Sequence, residues 1–365
     1  MNNEQTQSDF DAVMMQRCLE LAQRATGKTS PNPLVGSVVV KEGKVVGEGF
    51  HPGVGQPHAE VFALRDAGEE AQGATVYVNL EPCNHYGRTP PCSEALIKAK
   101  VAKVVAGMVD PAPRVAGGGI DRLRKAGIEV IVDVEEKACR QLNEAFIHRI
   151  IKKQPFGILK YAMTLDGKIA ATSGHSAWVT GKSSRHLVHQ IRSTCDAVII
   201  GGNTVRKDNP NLTTHGVTEH NPLRVIMSRS LDLPNECNLW NIDVAPTLVF
   251  TENNSNPSLQ KALIDKGVEV ITVAALTPKI VMKHLYQKEL SKVLWECGGT
   301  LAAKAIADGT IQKVMAFVAP KIIGGASAPS PVGELNLSRM TDALQLRNLE
   351  IKAIDSDILI EGYLD

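Results

Sequence analysis

The residues of this chain best suited to chemistry are a histidine, a glutamate two positions on, and two later cysteines: His58-Ala59-Glu60, then Pro82-Cys83 and, eight residues further, Cys92. One imidazole and two thiolates are three ligands for zinc. Three protein ligands leave a tetrahedral ion one open position, which marks a catalytic rather than a structural site. Water in that position has its pKa lowered to about 7, so hydroxide is available at neutral pH. Glu60 would stand beside the metal without binding it, free to take the water's proton and return it to a leaving amine. Attack on the carbon of an amidine-like C–NH2 group with that relay is hydrolytic deamination. The plain alternative is a buried histidine with two inert thiols, and a glutamate that only complements a helix dipole. His-x-Glu, Pro-Cys and a second cysteine within one domain argue for the metal.

Zinc deaminases commonly carry P-C-x-x-C. Here Asn84-His85-Tyr86-Gly87-Arg88-Thr89-Pro90-Pro91 separate the cysteines. Two prolines and a glycine favour a rigid turn that brings Cys92 back. The helix-like run 93–100 would place Cys92 at a helix N-terminus, where the dipole favours thiolate. A second stretch of interest runs from Val293 to Thr300, where a strand ends at Gly298-Gly299 and a helix opens over 301–307. Backbone N–H groups at such a start suit a phosphate, although an ordinary strand-to-helix turn has the same composition. No G-x-G-x-x-G occurs, so an ordinary Rossmann domain has no support.

Thr29-Ser30-Pro31-Asn32-Pro33 together with the run from Pro82 to Cys92 resembles the bifunctional deaminase-reductases of riboflavin biosynthesis, in which the long cysteine spacing is characteristic. The runs Thr164-Leu165-Asp166-Gly167-Lys168, Ser176-Ala177-Trp178-Val179-Thr180, Thr204-Val205-Arg206-Lys207-Asp208-Asn209-Pro210 and Glu296-Cys297-Gly298-Gly299 are similar to that family's reductase half. The likeness covers nearly the whole chain, densest over 29–92, good over 160–211 and thin over 221–290. It implies an α/β protein: an N-terminal cytidine-deaminase-like α/β/α domain, zinc-dependent, over 1–152, and a C-terminal dihydrofolate-reductase-like α/β domain, NADPH-dependent, over 153–365. It also implies that Asn32 and His51 lie near the pyrimidine. NADPH would be met by Ala162, Trp178, Thr204, Asp208 and the loop Gly298, Gly299, Thr300, Leu301, Ala302, Ala303 and Lys304. Substrate would be met by Ser176, Arg192, Leu212, His215 and Glu296. His215 stands where relatives usually show arginine, and a neutral imidazole holds phosphate less firmly than guanidinium. Asn209, where many relatives have aspartate, is a lesser departure. Read without the likeness, His51 is a surface histidine, Trp178 a core residue, Arg192 and Asp208 solvated charges, and Lys160 an exposed strand lysine or a group that polarises the reacting centre.

The elements that must position these residues follow from periodicity. Residues 11–25 read as a helix capped by Asp9 or Asp11 and ended by Gly27. Runs 34–40 and 45–50 read as a hairpin. A helix over 58–67 ending at Gly68 puts His58 and Glu60 in its first turn, and a strand over 74–80 delivers Pro82-Cys83. A strand at 103–108, a helix at 120–126, a strand at 128–132 and a helix from Glu135 to about Lys152 complete the first half. Strands separated by helices imply a largely parallel sheet covered on both faces. Gln154-Pro155 marks the boundary. Beyond it come a strand, turn and strand over 156–163, 164–168 and 169–171, a helix over 183–192, and strands at 197–200, 223–227, 247–250, 268–273 and 292–295. Two β-prone runs, 346–353 and 358–363, close the chain.

At 365 residues the chain has room for two domains, and 43% apolar residues supply two cores. A net charge of +1 without a basic tract gives no footprint for nucleic acid. A nucleic-acid or nucleoside base deaminase with an accessory domain would keep the same zinc site. The single-strand form of that reading calls for an aromatic-rich channel, and aromatic residues are only 4%. A non-enzymatic zinc module would need a fourth ligand, for which His85 is nearest. Seven cysteines without a regular framework read as reduced thiols plus a metal pair. The start of the chain lacks the pattern of a signal peptide, and no run approaches the ~18 apolar residues of a membrane span. The expectation is a cytoplasmic homo-oligomer acting on phosphoribosylaminopyrimidines, with zinc and NADPH as cofactors and neither nucleic acid nor membrane as partner.

Overall fold

The structure, a computed structural model, describes residues 2–86, 90–112, 116–253 and 255–364, with side chains from residue 6 onward. Gly87, expected to help turn the chain between the cysteines, lies outside the described residues. The chain divides into two compact units, Met1–Lys153 and Gln154–Asp365.

The first unit runs α1 (Asn2–Gln23), β1 (Gly36–Lys41), β2 (Lys44–Phe50), α2 (Ala59–Ala67), β3 (Thr75–Val78), α3 (Cys92–Lys98), β4 (Lys103–Ala106), α4 (Gly118–Lys125), β5 (Glu129–Ile131), α5 (Glu136–Leu142) and α6 (Glu144–Lys152). Its sheet has the order β2-β1-β3-β4-β5. β1 is antiparallel to both neighbours, whereas β3, β4 and β5 are parallel. The register settles which helix covers which face. Ser37 and Val39 of β1 pair with Gly49 and Gly47, and a Cβ on either glycine would fall within about 2.5 Å of an α2 carbonyl, Ala59 or Ala63. Gly36, on the opposite face, instead abuts Cys18 of α1. The small residues Ala59, Ala63 and Ala67, one helical face at i, i+4 and i+8, meet this glycine pair, so α2 lies almost on the strand backbone.

Two expectations need correction here. Asp9 and Asp11 do not cap α1, which begins earlier; Asp11 is buried inside it and accepts from Tyr77 Oη at 2.6 Å and Gln7 Nε2 at 2.7 Å. The single helix expected from Glu135 to Lys152 is broken at Asn143, which is buried. The Asn143 amide accepts from Leu34 N at 2.8 Å and donates to Leu34 O at 2.9 Å, acting as a substitute strand partner.

The second unit contains β6 (Phe156–Thr164), α7 (Lys182–Ser193), β7 (Ala197–Gly201), α8 (Gly202–Asp208), β8 (Leu223–Met227), β9 (Thr247–Glu252), α9 (Pro257–Asp265), β10 (Glu269–Val273), α10 (Pro278–Gln287), β11 (Lys292–Trp295), α11 (Gly299–Ala307), β12 (Lys313–Ala319), β13 (Arg347–Ile354) and β14 (Asp357–Tyr363). The nine strands lie in the order β10-β9-β8-β7-β11-β6-β12-β14-β13. Pairing is parallel from β10 to β12 and antiparallel through β14 to β13. Trp295, Phe250 and Phe317 fill the core. Residues 169–171, expected as a strand, are not one: Ile169 N donates to Pro329 O, and Ala171 O accepts from Gly174 N in a local turn. β12 was not foreseen, because a buried parallel strand is a continuous apolar run without alternation. Among the described residues no helix is long and apolar enough to cross a membrane.

Candidate functional site

His58 is the residue from which α2 departs, in extended conformation, with no side-chain cap bond to hold it there. Its imidazole is therefore free to face the cysteines. Nδ1 lies 3.1 Å from Cys92 Sγ and 3.4 Å from Cys83 Sγ. Among the described residues the ligand cluster is His58, Cys83 and Cys92, with donor atoms within 4.8 Å of one another, and His85 is not part of it. One nitrogen and two sulfurs converging at that spacing fit a tetrahedral zinc ion with one position left for water. Cys92 begins α3, and its backbone N–H donates to Cys83 Sγ at 3.3 Å. The Cys92 thiol against its sulfur holds Cys83 down at about 4, helped by His58, and the same contact pushes Cys92 up.

Glu60, 3% exposed, sits beside this cluster. Burial, with the Cys83 charge as a second cause, lifts its carboxyl to about 7. His51 is buried rather than a surface residue. Its Nδ1 donates to Pro57 O at 3.0 Å, so Nε2 accepts from Asn32 Nδ2, also at 3.0 Å. Burial lowers the pKa of His51, and the nearby His58 charge adds to this, so the ring is held neutral in one tautomer. The Asn32 carbonyl oxygen then remains to accept a bond from a ligand.

Sequence reasoning missed the residues that hold these in place. Asn79, fully buried, accepts from Gly36 N and donates to Leu34 O, and with Asn143 it fixes the segment that carries Asn32. Glu81, just before Pro82-Cys83, is buried and accepts from the N–H groups of Asp110, Gly117, Gly119 and Ile120, tying the zinc strand to the start of α4. An acid directly before the Pro-Cys pair was the available signal, but its partners lie 29 to 39 residues on.

In the second unit a cleft of about 620 Å³ opens over the carboxyl ends of the parallel strands, a size typical of small-molecule sites and the place where such sheets bind ligands. Lys160, Ala162, Ser176, Arg192, Thr204, Asp208, Leu212, Glu296, Gly298, Gly299, Thr300, Leu301 and Lys304 all line it. Ala302 and Ala303 turn into the core instead. Trp178 is 68% exposed and not a core residue; Arg185 stacks on its ring at 4.5 Å. His215 is exposed, is not among the residues lining the cleft, and stacks on His189, ring centroids 4.1 Å apart. Arg192 is no solvated charge. Its Nε and Nη2 grip Glu296 at 2.5 and 3.0 Å, its Nη1 donates to Thr213 O, and Lys160 reaches Glu296 at 3.5 Å. Burial pushes the Glu296 carboxyl up, but Arg192 and then Lys160 outweigh it and hold it at about 2.

The beginning of α11 fits a dinucleotide phosphate. A Cβ on Gly298 would meet no atom within 4 Å, so the helix start is open, while Gly299 must be glycine because a Cβ would lie 2.6 Å from Ser330 O. First-turn N–H groups and the dipole favour an anion there.

Comparison with known proteins agrees with both halves. Residues 8–108 match the cytidine and deoxycytidylate deaminase zinc-binding region, and residues 155–360 match the RibD C-terminal domain. The chain is 63% identical over 354 residues to the riboflavin biosynthesis protein RibD of Synechocystis sp., covering 97% of this chain and 96% of that protein. Among solved structures, Acinetobacter baumannii RibD superposes with a TM-score of 0.88 at 39% identity, covering 98% of this chain and 99% of that one. The Thermotoga maritima diaminohydroxyphosphoribosylaminopyrimidine deaminase/5-amino-6-(5-phosphoribosylamino)uracil reductase gives a TM-score of 0.86 at 36% identity, covering 98% and 100%. A base deaminase with an unrelated accessory domain is not favoured, because the likeness continues through the second unit. With a cytidine-deaminase-like first half, a RibD-type reductase second half and relatives matched end to end, the chain belongs to the family of bifunctional riboflavin biosynthesis deaminase-reductases.

Proposed function

We propose that residues 1–152 deaminate 2,5-diamino-6-(5-phosphoribosylamino)pyrimidin-4-one and that residues 153–365 then reduce the ribosyl chain of 5-amino-6-(5-phosphoribosylamino)uracil to ribityl. The observation that carries the first step is the buried Glu60 carboxyl beside a three-ligand His-Cys-Cys cluster. His58, Cys83 and Cys92 would hold zinc, which would supply water that ionises near neutral pH. Glu60 is placed to take a proton from water and pass it to the departing ammonia. Neutral His51 fixes the Asn32 amide, whose oxygen accepts from the pyrimidine.

In the second step bound NADPH would supply the hydride for C1' of the ribosylamine opened to an imine. Ala162, Trp178, Thr204, Asp208, Gly298, Gly299, Thr300, Leu301 and Lys304 would hold the cofactor, the N–H groups at the start of α11 being suited to its phosphates. Ser176, Arg192, Leu212 and Glu296 orient the substrate, His215 meets it from outside the cleft lining, and Lys160 is the cation facing the reacting group. A cytoplasmic homo-oligomer is part of this reading; exposed Leu349 and Ile351 on the edge strand β13, and Met340 and Leu344 just before it, support a self-contact.

Purified protein given the diaminopyrimidine should release ammonia with or without NADPH and consume NADPH only as deaminated product forms. Zinc-loaded protein that releases no ammonia from this substrate would sink the assignment.

A further inference from the structure

The two cysteines of the metal cluster are each followed by a polar residue, Asn84 after Cys83 and Ser93 after Cys92. Their side chains are joined: the hydroxyl of the fully buried Ser93 donates to Asn84 Oδ1 at 2.9 Å. The backbone ties the same two arms again, since Ser93 N donates to Cys83 O at 3.2 Å and Cys92 N to Cys83 Sγ at 3.3 Å. The separation of the sulfurs is therefore set by contacts beside them as well as by the eight residues between them.

Helix α4 is the base on which both arms rest. Asn84 Nδ2 donates to Gly118 O at 3.0 Å, and Arg122, one turn further along the helix, donates from Nη1 to Asn84 Oδ1 at 3.0 Å and from Nη2 to Glu94 Oε1 at 2.7 Å. Glu94 lies in the first turn of α3, two residues after Cys92, and Tyr86 Oη reaches its two oxygens at 2.8 and 2.7 Å. One planar fork thus holds the Cys83 arm with one nitrogen and the Cys92 arm with another, a rigidity that a lysine ammonium on its flexible stem lacks. On the other side of Cys83, Glu81 is held by N–H groups that open the same helix, and a Cβ on Gly119 would lie 2.0 Å from Pro82 O. α4 consequently fixes Cys83 from both sides and reaches the Cys92 arm through Arg122.

From this we infer that Arg122 is a positioning residue for the metal, keeping the two thiolates at the separation zinc requires and setting how long the ion is retained. The inference rests on zinc being held by His58, Cys83 and Cys92. A tetrahedral ion with Zn–S of about 2.3 Å needs its sulfurs about 3.8 Å apart, and two thiolates at that distance repel each other. When one zinc–sulfur bond opens, a thiolate held in place rebinds, whereas one whose arm can swing outward lets the ion go. The fold needs Arg122 far less. Its side chain is 38% exposed and that of Glu94 30%, and an ion pair so exposed contributes little to stability. Retention of metal and stability of the fold should therefore separate at this position.

The test is made on the full chain loaded with zinc, following release to an excess of a chromophoric chelator. Arg122→Ala should release zinc about 10- to 100-fold faster than the parent, the range for outer partners that orient metal ligands. Arg122→Lys, which can hold one arm, should fall between. Arg124→Ala, which removes an exposed arginine bonded to Val130 O at 3.2 Å from the same helix, should match the parent. With cobalt in place of zinc, the sulfur-to-cobalt charge-transfer bands of Arg122→Ala should shift, and those of Arg124→Ala should not. Far-UV ellipticity of Arg122→Ala over the same time course should not decline ahead of the zinc signal. Parent-like release from Arg122→Ala would overturn the inference, as would equal acceleration in Arg124→Ala, an unshifted cobalt spectrum, or ellipticity lost before the zinc. A parent that takes up no zinc would remove the ligand assignment and this inference with it.

Discussion

The two catalytic regions are built by opposite means. The metal ligands and Glu60 fall between residues 58 and 92, and each is delivered by the end of an element: the start of α2, the loop after β3 and the start of α3. The cleft of the second unit draws on stretches from Lys160 to Pro329 that meet chiefly because parallel strands end on the same edge. In the first, identity and spacing of residues define the chemistry. In the second, topology does, and single residues have little meaning until the sheet is assembled.

The sharpest way to separate the two is Glu60→Gln, which preserves size and leaves the three ligands in place. An amide cannot accept and return a proton, so deamination should fall by about 10²–10⁴-fold. Given the already deaminated aminouracil, the variant should oxidise NADPH at the parent rate. Equal loss of both activities in a folded variant would mean that the regions are not independent.

Arg192→Leu attacks the other region. It leaves the buried Glu296 carboxylate with only the longer Lys160 contact at 3.5 Å, and removing one partner of a buried pair costs up to about 3–5 kcal/mol. Thermal unfolding of the second unit should shift accordingly and reductase activity should disappear, with ammonia release intact. A shift as small as that of an exposed pair, about 1 kcal/mol or less, would contradict the burial of the pair.

Smaller is the effect expected at Asn143→Ala, which strands the Leu34 N–H while its carbonyl keeps the bond from Asn79, at about 1–3 kcal/mol for an unsatisfied group. Because Leu34 is two residues from Asn32, KM for the diaminopyrimidine should rise more than kcat falls. An unchanged KM would detach the clamp from the substrate side of the pocket.

The least effect is one of pH. Glu296 is held at about 2 against an ordinary 4.5, so the unfolded chain binds its proton first. The stability it contributes is present above pH 4.5 and lost as pH falls from there through about 2. Denaturation midpoints of the parent should decline across that window, and those of Glu296→Gln should decline less. Parallel curves would show that Glu296 is not the group responsible.

Legibility followed the same divide. His58, Glu60, Cys83 and Cys92 were readable because ligand chemistry is a property of residue type, and the prolines before Cys92 announce a turn. His51 was ambiguous, since nothing in its neighbours says that Val35, Pro57 and Asn32 close around it. Asn79, Glu81 and Asn143 escaped because their partners are 29 to 109 residues away. Asn143 interrupts what periodicity presents as one helix. Its amide replaces two backbone bonds of a distant segment, which no local pattern records. In the second half the strands were found, but β12 and the burial of Arg192 were not, since both depend on which strands become neighbours.

The bond between Asn143 and Leu34 joins residues 109 apart, and this imposes an order on manufacture. A chain emerging from the ribosome has made Asn79, which bonds Gly36 and Leu34, well before Asn143, so the segment bearing Asn32 lacks its second tie until residue 143 follows. Domains fold as units during synthesis, the first before the second. The pyrimidine side of the first site is therefore completed by almost the last residues of its own unit, just before the second unit begins to be made.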